Sequence, residues 1–109
     1  MKTNPEIERC IDSCIACYRR CAQTAMGHCL ETGGEHVQPA HFRLMMGCAE
    51  ACRAAAHAML IGVENHQSVC AACAVACADC ARSCDGMDGM ADCARTCREC
   101  AGMCEKMAA

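Results

Sequence analysis

Cysteine recurs through this chain at spacings of three and four. Cys10, Cys14, Cys17 and Cys21 run four, three, four; Cys70, Cys73, Cys77, Cys80 and Cys84 run three, four, three, four; Cys93, Cys97, Cys100 and Cys104 run four, three, four. Cys29, Cys48 and Cys52 complete a set of sixteen in 109 residues. Thiolates do two kinds of chemistry: they ligate soft and borderline metal ions, and they carry electrons as disulfides or in iron–sulfur clusters. Three-and-four spacing is that of one helix face and of a heptad seam, so positions that a bundle usually gives to Leu and Ile carry sulfur here. No Ser/His/Asp order, phosphate loop or thioredoxin-like setting accompanies the Cys-x2-Cys steps, so no enzymatic activity is expected.

Four helices are needed to position these thiols. Asn4-Pro5 is a strong start, with Asn as N-cap and Pro in the first turn. A helix over about 5–30 ends at Thr32-Gly33-Gly34-Glu35, and Pro39 opens a second over 39–61. A softer break from Gly62 to Ser68 leads to a third over 66–84. The turn Asp85-Gly86-Met87-Asp88-Gly89 precedes a fourth over 90–107. Short connections make neighbours antiparallel. The expected fold is therefore all-α: one domain over 1–109, an up-down-up-down four-helix bundle with a Cys-lined core. There is no Trp, one Tyr and one Phe, but Cys packs as a small hydrophobe and Ala is the best helix former.

A heptad seam runs through all four helices. The first carries Ile7, Cys10, Cys14, Cys17, Cys21, Thr24 and His28; the second His41, Met45, Cys48, Cys52, Ala55 and Met59. The third carries His66, Cys70, Cys73, Cys77, Cys80 and Cys84; the fourth Met90, Cys93, Cys97, Cys100, Cys104 and Met107. Of the sixteen cysteines only Cys29 falls beside the seam. Packing alone gives no reason to choose Cys at nearly every interior position.

Four uses of such a core compete. Disulfides within a helix are opposed by geometry: Cβ atoms at i and i+3 or i+4 are about 5–6 Å apart, against about 3.5–4.5 Å across a disulfide. Iron–sulfur motifs of the ferredoxin type sit on looping backbone with a Pro after the last Cys, and no Cys here precedes Pro. Zinc takes closed sets of four ligands, and a continuous seam does not divide naturally into fours. Cu(I) is soft, selects thiolate and thioether, and accepts two ligands. At metal–sulfur distances near 2.3 Å, a linear site needs sulfurs roughly 4.5 Å apart. The Cys-x3-Cys pairs Cys10/Cys14, Cys17/Cys21, Cys48/Cys52, Cys73/Cys77, Cys80/Cys84, Cys93/Cys97 and Cys100/Cys104 can supply that spacing. If every thiol bridged two ions, capacity would be on the order of sixteen per chain. Multiple Cu(I) ions on the sixteen cysteines are the leading expectation. Zinc buffering and thiol-redox or iron–sulfur electron transfer are the alternatives.

These repeated Cys-x3-Cys pairs, with their Cys-rich third and fourth helices, resemble the four-helix-bundle copper storage proteins, in particular their cytosolic branch. The resemblance covers Cys10 to Cys104. It implies an inward-facing thiol core for copper storage and a homotetramer. The second helix, with Ala55 and Met59, carries fewer thiols than the resemblance implies.

His28, His36 and His41 collect with Met45, Met87 and Met90 at one end of an antiparallel bundle. His28, His41, Met45 and Met90 are candidates for a metal mouth, from which imidazole and thioether pass Cu(I) inward. His66, Met59 and Met107 gather at the opposite end, and His57 faces outward. A second stripe on the first helix (Ile11, Ile15, Tyr18, Ala22) and an apolar third helix (Val69, Ala71, Ala74, Val75, Ala78) point to self-association. Arg19, Arg20, Arg53, Arg82, Arg95 and Arg98 are expected outside. A net charge of −3 gives no nucleic-acid footprint, and no uninterrupted 18-residue apolar run argues for a membrane span. Residues 1–6 lack an apolar signal core or twin arginine, so a cytoplasmic location is expected. A copper donor or acceptor protein is implied by the storage role, but no feature of the chain identifies one.

Overall fold

The computed structural model describes residues 4–109; Met1, Lys2 and Thr3, part of the stretch searched for an export signal, lie outside them. Asn4 caps the first helix, its Oδ1 accepting the Glu6 N–H at 2.9 Å, and Pro5 follows where a missing N–H leaves nothing unpaired. Helix α1 (Pro5–Thr24) runs into a π-helical turn, Ala25–Cys29, and one last α turn, Leu30–Thr32. Gly33 and Gly34, at φ 70° and 57°, then turn the backbone into a short 3-10 helix, Gly34–Val37. Helix α2 (Pro39–Ile61) stops at Gly62 in the left-handed conformation, with Val63 N–H reaching back to the Ala58 carbonyl at 3.3 Å. Helix α3 is His66–Cys84, and α4 is Ala91–Ala108, starting one residue later than expected.

The four helices form a ring in which α1 packs on α2 and α4, and α3 packs on the same two. The result is an up-down-up-down bundle measuring 46 × 20 × 19 Å. Among the described residues there is no strand. Small side chains flank the seam: Ala49, Ala56, Ala74, Ala81, Ala94 and Ala101 are all buried. They let helices approach closely enough for sulfurs of different helices to meet. Charged residues stay outside, in exposed pairs such as Arg53–Glu50 at 2.6 Å and Arg95–Asp92 at 2.9 Å; such pairs contribute little to stability.

By length and composition α2 is long and apolar enough to cross a membrane, although it contains no unbroken apolar run. Its hydropathy comes from Ala, Met and Cys. In its most apolar stretch 44% of residues are buried inside the bundle, as befits a core helix.

The seam of α1 departs from the heptad reading after Cys21. Thr24 and His28 are only half-buried, whereas Ala25 and Cys29 are completely buried. In a straight α-helix at about 100° per residue, Cys29 would lie roughly 80° away from Cys21 around the axis. The π turn spends more residues per turn, absorbs that drift, and brings Cys29 back to the core. Cys29 therefore belongs to the seam rather than beside it. His66, placed on the seam by spacing, is half-buried, and His57 is exposed as expected. Of the two apolar stripes, Ile11 and Ala74 are buried, but Ile15, Tyr18 and Val75 are 46%, 39% and 63% exposed in the single chain.

Candidate metal centre

All sixteen thiols are free and buried, none more than 2% exposed. They form one column along the bundle axis. Nearest the α1 N-terminus, Cys104 Sγ lies 3.9 Å from Cys10 Sγ and 3.6 Å from Cys14 Sγ, and Cys100 Sγ is 3.8 Å from Cys14 Sγ. At mid-height Cys52 and Cys77 approach to 3.4 Å, Cys48 and Cys77 to 3.6 Å, and Cys17 and Cys97 to 3.8 Å. Higher still, Cys21 meets Cys97 at 3.5 Å, Cys48 at 3.8 Å and Cys93 at 3.9 Å.

Nearly all of these thiol contacts cross between helices. Within a helix, Cys17–Cys21 at 4.0 Å and Cys73–Cys77 at 3.8 Å are in hydrogen-bonding contact. The linear i, i+4 arrangement expected from spacing is thus not the dominant one. Sulfurs 3.4–4.0 Å apart are close to the edge of a three-thiolate site, about 4.0 Å for metal–sulfur bonds near 2.3 Å. A linear ion, needing about 4.5 Å, would require them to part by roughly 0.5–1.1 Å, a side-chain rotation.

The column also divides into fours more readily than the seam suggested. Three groups have all four sulfurs within 4.8 Å of one another: Cys14, Cys73, Cys100 and Cys104; Cys17, Cys21, Cys48 and Cys97; Cys17, Cys52, Cys77 and Cys100. Cys17 belongs to two groups and Cys100 to two. The groups are linked by shared ligands into a continuous chain of donors.

Packing thiols this densely splits their proton affinities. Hydrogen bonds from Cys104 and then Cys14 hold Cys10 down at about 4. Thiols of Cys17, Cys21, Cys52 and Cys77 stabilise the Cys48 thiolate in the same way, and those of Cys104, Cys14, Cys17 and Cys52 stabilise that of Cys100. Thiols without such donors go the other way: burial pushes Cys70 up to about 12 and also raises Cys29. Each thiol that holds a proton must give it up as metal arrives.

Beyond Cys21 the column ends in thioethers. Met45 Sδ accepts from Cys80 at 3.5 Å, Cys84 at 3.6 Å and Cys93 at 4.0 Å, and Met90 Sδ accepts from Cys29 at 3.9 Å. Both methionines are fully buried. Above them lie three histidines. His28 and His36 direct Nε2 at the same acceptor, the Asp88 carbonyl, at 3.2 and 2.9 Å, with rings edge-on 5.1 Å apart. Gly89 lies beneath His28; a Cβ there would come within 2.6 Å of Nε2. His41 is 6% exposed and places Nδ1 2.7 Å from Ser83 Oγ. Burial, and then His36, lowers the His41 pKa and favours the neutral ring. At the other end, Met59 is buried, Met107 and His66 are half-buried, and His66 Nδ1 donates to the Val63 carbonyl, just before its helix, at 2.9 Å.

The four residues read from sequence as a mouth, His28, His41, Met45 and Met90, lie together at one end. The sequence reading missed Ser83 and the Asp88 carbonyl. Ser83 precedes a seam cysteine but carries no motif, and a backbone carbonyl has no residue-type signal.

A protein-family model described as copper storage protein matches residues 3–109. A cysteine-rich protein of Bacillus subtilis (strain 168), YhjQ, described as uncharacterized, is 35% identical over 81 residues, 74% of each chain. A crystal structure of a Nitrosospira multiformis protein superposes with a TM-score of 0.95 at 50% identity, covering 97% of both chains. A Cu(I)-bound copper storage protein, BsCsp3, superposes with a TM-score of 0.86 at 34% identity, covering 95% of this chain and 99% of that one.

Proposed function

The chain belongs to the copper storage protein family, and from that premise we propose that it takes up Cu(I) and holds many ions on the thiolates of its sixteen cysteines. The observation that carries this reading is ligand sharing. Because Cys17 and Cys100 each serve two four-thiol groups, the column suits bridging thiolates and a polynuclear array. Soft Cu(I) favours such all-sulfur surroundings. Each thiol that still holds its proton gives it up on binding, so uptake weakens in acid. The role is binding and release, not turnover.

One observation favours a second reading. The groups Cys14, Cys73, Cys100, Cys104 and Cys17, Cys21, Cys48, Cys97 share no member, so two closed zinc sites fit the same core. Loading the reduced protein with zinc and then adding Cu(I) without oxygen, followed by native mass spectrometry, separates the two. Storage of copper predicts expulsion of zinc and a rising ladder of copper-loaded masses. Retention of two zinc ions would favour the buffer.

The end holding Met45, Met90, His41 and His28 serves as the mouth. Its support is the graded order of donors, imidazoles outermost, thioethers beneath them and thiols below. Ile15, Tyr18 and Val75 form apolar surface that a homotetramer would cover; sedimentation of the full chain at several concentrations tests this. We propose a cytoplasmic location, supported by sixteen free thiols that a reducing compartment keeps available for Cu(I); cell fractionation tests it.

A further inference from the structure

His41 differs from the other two histidines at its end of the bundle. A carbonyl oxygen only accepts, so His28 and His36 must both carry a proton on Nε2, which they donate to Asp88. Those rings are anchors for the 85–89 loop, which Arg98 also ties down by donating to the Asp85 carboxylate at 2.9 Å. The Nε2 of His41 is buried and has no partner, the one such side-chain nitrogen or oxygen among the described residues. Buried polar atoms are almost always paired, and this nitrogen is paired with no protein group. It sits on α2 one turn before Met45 and on the same helix face, and the Met45 thioether gathers Cys80, Cys84 and Cys93. Metal-binding imidazoles usually donate their other N–H to a fixed acceptor, which sets the tautomer. Ser83 Oγ, 2.7 Å from Nδ1, is placed to be that acceptor.

We propose that Ser83 is a positioning residue for a terminal nitrogen–sulfur copper site. Its hydroxyl oxygen accepts the Nδ1–H of His41 and leaves the Nε2 lone pair bare for a Cu(I) ion drawn to the sulfurs around Met45. The copper half of this proposal rests on the storage reading; the tautomer does not.

The test is ¹⁵N NMR of the histidine rings in the full-length, copper-free protein, followed by copper K-edge absorption after loading with Cu(I) alone. In the wild type, His41 should show a protonated Nδ1 and a bare Nε2, and the loaded protein a minor copper–nitrogen shell. Ser83→Ala should scramble the tautomer and reduce that shell at least twofold, changing the number of sulfur-bound ions by no more than one. Ser83→Thr, which keeps the hydroxyl, should restore both signals. His41→Gln, with Ser83 intact, should abolish the nitrogen shell and covers the case in which Ser83→Ala does not fold. A proton on His41 Nε2 in the wild type, or a nitrogen shell that survives His41→Gln, overturns the proposal. A correct tautomer in a protein that binds almost no copper would overturn the storage reading and the copper assignment with it, while leaving the Ser83–His41 pair in place.

Discussion

The thiol of Cys80 donates to the thioether of Met45 at 3.5 Å, across the α2–α3 interface. That contact is where the all-thiol column gives way to a neutral sulfur. Cu(I) bound there would be held less tightly than on thiolates alone, as a transfer station requires. Met45→Leu, which keeps the volume, should therefore slow Cu(I) uptake and chelator-driven release several-fold while changing capacity by no more than one ion. Met59→Leu, at the far end, should leave both rates unchanged. Stopped-flow transfer from a chromophoric Cu(I) chelator reads this; a larger effect at Met59 would put the mouth at the other end.

Position in the column should decide how much capacity one thiol controls. Cys48 contacts Cys17, Cys21, Cys77 and Cys97, whereas Cys29 contacts the thioether of Met90. Cys48→Ala should remove two or more tightly bound ions, and Cys29→Ala at most one. Either change should cost the copper-free protein only about 1 kcal/mol, because a sulfur is comparable to one buried methylene. Native mass spectrometry of both variants gives the counts, and equal losses would argue against shared ligands.

The π turn makes a prediction about register. Met26 lies within it and is 50% exposed. Deleting Met26 shortens the Cys21-to-Cys29 step to seven residues, which an ordinary α-helix places about 20° off line. The deletion should be tolerated, with thermal stability unchanged or raised and Cys29 still protected from thiol reagents. Rapid labelling of Cys29 in the deletion variant would show that the turn has some other cause.

The copper-free bundle should be labile in alkali. An unfolded thiol ionises near 9, whereas burial holds Cys70 protonated to about 12. Between those values the unfolded state has released a proton that the folded state keeps, so stability falls as pH rises, by about 1.4 kcal/mol per pH unit for each such thiol. Below 9 both states are protonated at this residue and it contributes no slope. Denaturant melts at pH 8, 9 and 10 should show the decline, and loading with copper, which takes the thiolate form, should remove it.

The helices and the thiol face were legible in the sequence because three-and-four spacing and the turn residues Gly33, Gly34, Gly62 and Gly86 are local signals. The burial of Cys29 was not, since a π turn over 25–29 has no composition of its own and shows only as a break in register. Which thiols meet was also hidden: Cys52 with Cys77 depends on how far α2 and α3 are staggered along the axis, which side-chain packing sets. Spacing therefore favoured partners within a helix, where the folded chain mostly chooses partners across helices. His41 was read as part of a mouth from its position, but its bare nitrogen needed Ser83 to become visible.

Titrating the fully reduced protein with Cu(I), without oxygen, against a colorimetric chelator counts the ions bound tightly per chain. A shared thiolate column predicts ten or more, approaching the thiol count. Four or fewer would contradict it and return the cysteines to zinc or redox chemistry.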